Sequence, residues 1–197
     1  MFLNARSTGW NTLTNTIGGY KPGALYVFAG HLGSGAMQFA AQSSKVNGCI
    51  VLERGDQEEF DRKMPEILKM AQEQKGVLID ARQVSWQYGD SVAHNACQVA
   101  LNANVPVFVV GQVQHNANSK NVGMSLPFYY QHANAFMFFE RQQLADHGVA
   151  TIHVLKARHN TFFDGVNILS PNGGKTYIEW SMQGEEIVFG KEVNEYS

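Results

Sequence analysis

Helical and extended spacings of apolar residues alternate along the chain, and their order predicts an α/β fold. Trp10, Leu13 and Ile17 recur at helical spacing and run into Gly18-Gly19, a stop signal, then Pro22-Gly23, a turn. Leu25 to Ala29 is continuously apolar, as in a strand buried on both faces. A glycine-rich turn over Gly30 to Gly35 leads into a helical pattern from Ala36 to Lys45, and Gly48-Cys49-Ile50-Val51-Leu52 is a second buried strand. Strand, turn, helix and strand make one βαβ unit, whose strands are parallel.

The alternation continues downstream. Asp56 stands as the N-cap of a helix over Gln57 to Gln74, with Glu58 and Glu59 in the first turn and Phe60, Met64, Ile67, Leu68 and Ala71 along one face, despite Pro65. Val77 to Asp80 and Val105 to Gln112 read as strands, separated by a loop with Trp86, Tyr88 and Gly89 and an amphipathic helix from about Ser91 to Leu101. The polar stretch from His115 to Leu126, with Lys120 and Gly123, reads as a loop. Ala133 to Glu140 and Thr151 to Lys156 add two strands. Val166 to Leu169 and Thr176 to Trp180 then flank Pro171-Asn172-Gly173-Gly174 as an antiparallel hairpin. Without an internal repeat or a linker, residues 1–197 are expected to form a single domain with a mostly parallel central sheet flanked by helices.

Chemistry enters at the glycine turn. Gly30-His31-Leu32-Gly33-Ser34-Gly35-Ala36-Met37 falls on the phosphate-loop pattern G-x-x-x-x-G-K-[ST], with Gly30 and Gly35 in its glycine positions. Such a loop turns backbone N–H groups toward an anion at a helix N-terminus, so Gly30, Gly33, Ser34 and Gly35 are the candidate phosphate binders. Ala36 replaces the lysine of the pattern and Met37 its hydroxyl residue. The loss removes one cation and weakens the site for Mg²⁺, so ATP and Mg²⁺ are doubtful cofactors and efficient hydrolysis is not expected. Gly173-Gly174-Lys175-Thr176 imitates the end of such a loop, but it follows a hairpin turn and precedes a strand, so it reads as structure.

Composition narrows the setting. A net charge of −2 supplies no broad pull toward nucleic acid, and no apolar run approaches the roughly 20 residues that span a bilayer. The N-terminal residues lack a basic start and a long apolar stretch, so a cytoplasmic protein is expected. Cys49 and Cys97 do not make a disulfide framework, and the seven histidines are scattered without ligand spacing, so no metal site is assigned.

The ordered blocks resemble the RecA-like motor domain of DnaB-type replicative helicases over nearly the whole chain. The resemblance lies in Thr8-Gly9-Trp10 through Gly18-Gly19 to Pro22-Gly23, Leu52-Glu53 with Arg62-Lys63-Met64, Leu78-Ile79-Asp80 with Gln83, and Asn104-Val105-Pro106-Val107 to Gly111-Gln112. Gln131-His132-Ala133-Asn134-Ala135 to Glu140-Arg141 and Lys156-Ala157-Arg158-His159-Asn160 match later blocks in the same order. The fold it implies is a RecA-like P-loop NTPase core. It also implies that Glu53 activates the attacking water, Asp80 holds the Mg²⁺ shell and Gln112 senses the γ-phosphate. Lys156 and Arg158 would reach in trans into a neighbour's nucleotide, and Lys120 would lie in a loop facing single-stranded DNA. The span from Glu53 to Asp80 is shorter than in the family, and the family's primase-contacting domain is expected to be absent.

The function that follows is that of a degenerate DnaB-like RecA-fold protein acting in DNA replication or recombination. It would work by homo-oligomeric assembly or with a helicase partner, with weak or no ATP hydrolysis. One alternative is an active helicase-type ATPase in which Lys45 or a neighbour's Arg158 replaces the missing lysine. The other is a structural oligomer without nucleotide.

Overall fold

Strand β1 (Leu25–Gly30) lies at the centre of the sheet, and its residues alternate between two cores. Tyr26 and Phe28 face one side, while Leu25, Val27 and Ala29 face the other, which is why the whole run is apolar. In the computed structural model, residues 5–113, 131–141, 145–157, 160–161 and 174–194 are described. The elements are α1 (Asn11–Ile17), β1, α2 (Ala36–Ser44), β2 (Ile50–Val51), α3 (Gln57–Gln74), β3 (Val77–Asp80), α4 (Gly89–Ala103) and β4 (Val107–Gln112). They continue with β5 (Ala135–Glu140), β6 (His147–Ala157), β7 (Asn160–Thr161), β8 (Lys175–Gln183) and β9 (Glu186–Val193).

The strand order is β2-β3-β4-β1-β5-β6-β8-β9, with β7 pairing β6. From β2 to β5 all pairs are parallel; from β5 onward they are antiparallel. Residues of α1 and α2 pack with Phe28, Phe139, Trp180 and Phe189 on one face, and residues of α3 and α4 pack with Val27, Val109 and Phe138 on the other. The expected mostly parallel α/β core with an antiparallel C-terminal hairpin is therefore present.

Several boundaries differ from the sequence reading for physical reasons. Strand β2 has only two residues, although Leu52 N–H still donates to Asp80 O. β4 begins after Pro106, which has no N–H to give to a ladder. β6 starts at His147, four residues before Thr151, and the chain ends its described part with β9, an extra strand. The hairpin is β8–β9, turning at Gly184 with φ 65°, whereas residues 171–173 of the expected turn and the expected strand over 166–169 lie outside the described residues. Lys175 and Thr176 open β8, so these two residues of the second glycine-lysine stretch are strand structure, while Gly173 lies outside the described residues.

Strand β9 is tied to the helices of the first core. The Gln42 side chain donates to Phe189 O at 2.7 Å and accepts from Phe189 N–H at 3.1 Å, as a neighbouring strand would. Trp10 stacks on Phe39 with ring centroids 4.5 Å apart and donates through its indole to Gly190 O at 2.9 Å. Glu192 accepts from Thr12 N–H through both carboxylate oxygens at 3.1 Å, supplying the N-terminal cap that α1 lacks locally.

Candidate functional site

The glycine loop joins the C-terminal end of β1 to α2, where open parallel sheets gather their ligands. Gly33 and Gly35 have φ of 75° and 87°, the left-handed region that side chains with Cβ rarely adopt. A Cβ on Gly35 would stand 3.1 Å from Phe189 and 3.3 Å from Ile187, so β9 closes over the start of α2. Ser34 is turned inward, 4% exposed, and its hydroxyl accepts from Ala36 N–H at 3.3 Å. That bond takes up one N–H that an anion would otherwise receive.

The loop borders a cavity of about 80 Å³ that is also lined by His31, Arg82, Gly111, Gln112 and Ile187. The volume suits a single phosphate group, since enclosed small-molecule sites run from about 300 Å³ upward. Gln112 ends β4 directly opposite Gly30, which places its half-buried side chain at the cavity. Gly30, Gly33, Ser34, Gly35 and Gln112 are therefore brought together.

The two replaced positions present apolar side chains to the cavity and to the first core. Ala36 is 5% exposed within the cluster formed by Phe39, Ile187 and Phe189, and Met37 packs against the same cluster. Asp80, at the end of β3, is bound by Arg82: Nε donates to Oδ1 at 2.9 Å and Nη2 to Oδ2 at 2.7 Å. The Arg82 backbone N–H adds a third bond to Oδ1 at 3.1 Å, and the pair holds the guanidinium in its charged form. Two features therefore oppose Mg²⁺: a thioether stands where an oxygen ligand is needed, and the carboxylate is already neutralised by a bidentate arginine. The donor set does not fit this ion.

Glu53 follows β2, which is separated from β1 by β3 and β4, roughly 14 Å at ~4.8 Å per strand. It is exposed and does not line the loop cavity. Its backbone instead belongs to a turn organised by Glu59, a 2% exposed carboxylate on the first turn of α3. Glu59 accepts from the N–H groups of Glu53 at 2.9 Å, Arg54 at 2.8 Å and Gly55 at 2.7 Å, and pairs with Lys63 at 3.3 Å. Burial pushes its carboxyl up, but the three N–H donors and Lys63 outweigh this and pull it down to about 2.

Lys156 lies opposite Phe136, near the start of β5, whereas Gly30 lies opposite Phe139. It is thus displaced from its own glycine loop both along and across the sheet. A register shift places Val154 against Met137 and Lys156 against Phe136, with Leu155 as the extra residue of a bulge. Simple alternation would carry Lys156 onto the Val154 face, inside the first core; the bulge moves it to the other face. Its ammonium donates to Gln131 O at 3.5 Å, and burial lowers its pKa. Arg158 and Lys120 lie outside the described residues.

Two residues, Arg82 and Glu59, shape this end of the sheet although the sequence pattern assigns neither a site role. Arg82 stands two positions beyond the strand-end carboxylate, a spacing that allows the observed chelate. Glu59 stands three positions after the N-cap Asp56, the spacing of a capping box, and Asp56 does accept from Glu59 N–H at 3.0 Å. Among the described residues, no group of three or more His, Cys, Asp or Glu side chains is placed to hold a metal ion. No described helix is long and apolar enough to cross a membrane.

No protein-family model and no curated protein matches the chain. Solved structures do. A structure described as an ATPase domain matches with a TM-score of 0.58 at 11% identity, over 89% of this chain and 88% of that one. The RadB recombinase matches with a TM-score of 0.54 at 14% identity, over 95% and 99%. A DnaB-like replicative helicase, described with its interactions with primase, matches with a TM-score of 0.55 at 12% identity, over 98% of this chain and 64% of the helicase chain. At these identities the likeness is one of fold, and that fold is the RecA-like α/β core.

Proposed function

We propose that this chain is a RecA-fold subunit that acts in DNA replication or recombination through assembly, with copies of itself or with an active helicase, and hydrolyses ATP weakly or not at all. The observation that carries this reading is the state of the phosphate site. Ala36 and Met37 put a methyl group and a thioether in the cavity wall where a cation and a hydroxyl are needed, and Asp80 is committed to Arg82. Catalysis of phosphoryl transfer rests on preorganised positive charge, and losing one such donor costs about 3 to 4 kcal/mol of barrier stabilisation. The solved relatives in fold are named as an ATPase domain, a recombinase and a replicative helicase, which supports the replication or recombination setting.

The position of Lys156 supports assembly. Placed away from its own loop and carried by the bulge off the face of the first core, it suits a role at a neighbouring subunit, with Arg158 following two positions on in the chain. Sedimentation velocity and Mg-ATP turnover test the proposal together. The expected result is an assembled species, alone or with a helicase, that Arg158→Ala weakens, and phosphate release at background. Turnover by the wild type that Glu53→Ala abolishes would sink it, as would a species that stays monomeric alone and with helicase.

A second reading is favoured by the presence of Arg82 in the cavity wall. In it the loop binds a nucleotide phosphate without metal, with the Arg82 guanidinium, oriented by Asp80, donating the hydrogen bonds that Ala36 cannot. A thermal shift with ATP that is equal in EDTA and in Mg²⁺, and lost in Arg82→Gln, is the expected signature. A shift that requires Mg²⁺ would refute it.

A further inference from the structure

A second cavity lies at the other end of α2, and at about 270 Å³ it is the larger of the two. Its wall is made by Arg6, Ser7, Tyr20, Ser43, Ser44 and Lys45, two cations and four hydroxyl residues without a carboxylate. Ala36 and Ser44 are the first and last residues of α2, so the two cavities are separated by the length of that helix, roughly 12 Å.

Arg6 is held in place by its backbone. It exchanges two hydrogen bonds of 2.8 Å with Tyr20, an isolated antiparallel bridge ahead of β1. Its Nη2 is buried without a hydrogen-bond partner, and a Cβ on Gly76 would come within 2.8 Å of it, so the guanidinium is wedged beside the residue that precedes β3. Burial lowers its pKa, yet an arginine keeps its proton in a protein. Half-buried positive charge ordinarily has an anionic partner. Among the described residues, no acidic side chain forms an ion pair with Arg6 or Lys45.

The hydroxyls divide into two sets. Tyr20 Oη meets Ser43 Oγ at 2.5 Å, and Ser43 in turn donates to Thr8 O at 2.7 Å, so this pair is spent on the fold. Ser7 meets Thr14 Oγ1 at 3.4 Å, and Ser44 donates to Ala41 O at 3.4 Å, both long contacts. They remain available to a better acceptor. Lys45 caps α2 with φ 56° at the negative end of the helix dipole, which favours a cation there and opposes an anion, so attraction for a ligand rests first on Arg6.

We propose that this cavity is an anion site for a phosphate dianion, free or as a phosphomonoester, held by Arg6 and Lys45 with hydrogen bonds from Ser7 and Ser44. Arg6 and Lys45 bring positive charge against the two charges of the ligand near neutral pH, and an acceptor-rich group satisfies the serine donors left open. The inference is independent of the glycine loop and of the function proposed above.

Calorimetric titration of the full chain with inorganic phosphate, and separately with AMP, tests it. The expected result is saturable binding, weakened about tenfold by Lys45→Gln and at least as much by Arg6→Gln, and unchanged by Lys69→Gln on the exposed side of α3. Tighter binding of AMP would identify a phosphomonoester as the ligand, and tighter binding of inorganic phosphate the free ion. Lys45 is exposed, so Lys45→Gln keeps the test valid if Arg6→Gln fails to fold. Absence of saturation at millimolar phosphate would overturn the proposal. So would saturable binding that Arg82→Gln abolishes while Lys45→Gln leaves it intact, which would place the anion at the glycine loop.

Discussion

Replacing Glu59 with glutamine keeps the shape of the side chain and removes the charge that three backbone N–H groups converge on. In the native protein the carboxyl is held at about 2, against an ordinary value of 4.5. That displacement corresponds to about 3 kcal/mol of stability at neutral pH, because each pK unit is worth about 1.4 kcal/mol. The sign follows from the direction. A carboxyl depressed in the folded state contributes fully above the unfolded value near 4.5, and its contribution disappears as pH falls toward 2. Urea unfolding of wild type and Glu59→Gln at a series of pH values between about 7 and 2 measures it. At neutral pH the variant should be about 3 kcal/mol less stable, with a melting point lower by roughly 6 to 12 °C at this size. The difference should shrink steadily as pH falls below the ordinary carboxyl value. A constant gap across the range would show that the loss comes from packing and that the charge is not what holds the turn over residues 53–55.

Three further perturbations address the loop and the sheet. Gly35→Ala should lower stability by about 2 kcal/mol in a thermal melt, from left-handed backbone strain and the close approach of Phe189 and Ile187; an unchanged melt would mean that β9 does not close over the loop. Restoring the missing pair with Ala36→Lys and Met37→Thr should destabilise the protein by about 2 kcal/mol or more, by burying an ammonium at a 5% exposed position, and should not restore phosphate release. Turnover in that double variant would refute the view that Asp80 is withheld by Arg82. His153 is 5% exposed, and burial lowers its pKa although Glu140 bonds its ring at 3.0 Å. Its stabilising contribution is present above the unfolded value near 6.5 and lost as pH falls through the depressed folded value, so His153→Gln should flatten the stability profile between about pH 7 and 5. An unaltered slope there would count against a neutral buried imidazole.

The sequence by itself determined the order of elements and the position of the glycine loop. Continuous apolar runs such as Leu25 to Ala29 can only be buried on both faces, and a glycine-rich turn between such a run and a helix can only lie at a strand end. Local spacing also located the α3 cap at Asp56, since that bond is made within a few residues. What tertiary structure decided was the pairing of groups distant in the chain. Nothing near Gly35 announces that Ile187 and Phe189 will cover it, because that contact depends on how β8 and β9 return across the sheet. The orientation of Lys156 depends on a bulge in the β5–β6 ladder, which two-residue periodicity cannot register. The Asp80–Arg82 chelate needed only a two-residue separation, yet whether an arginine turns back onto a carboxylate or outward to solvent is set by the cavity around it. Ala36 and Met37 could be seen in the sequence as missing ligands; only the packed structure buried Ala36 in the core and laid Met37 against it, because burial is a property of the neighbours that the fold supplies.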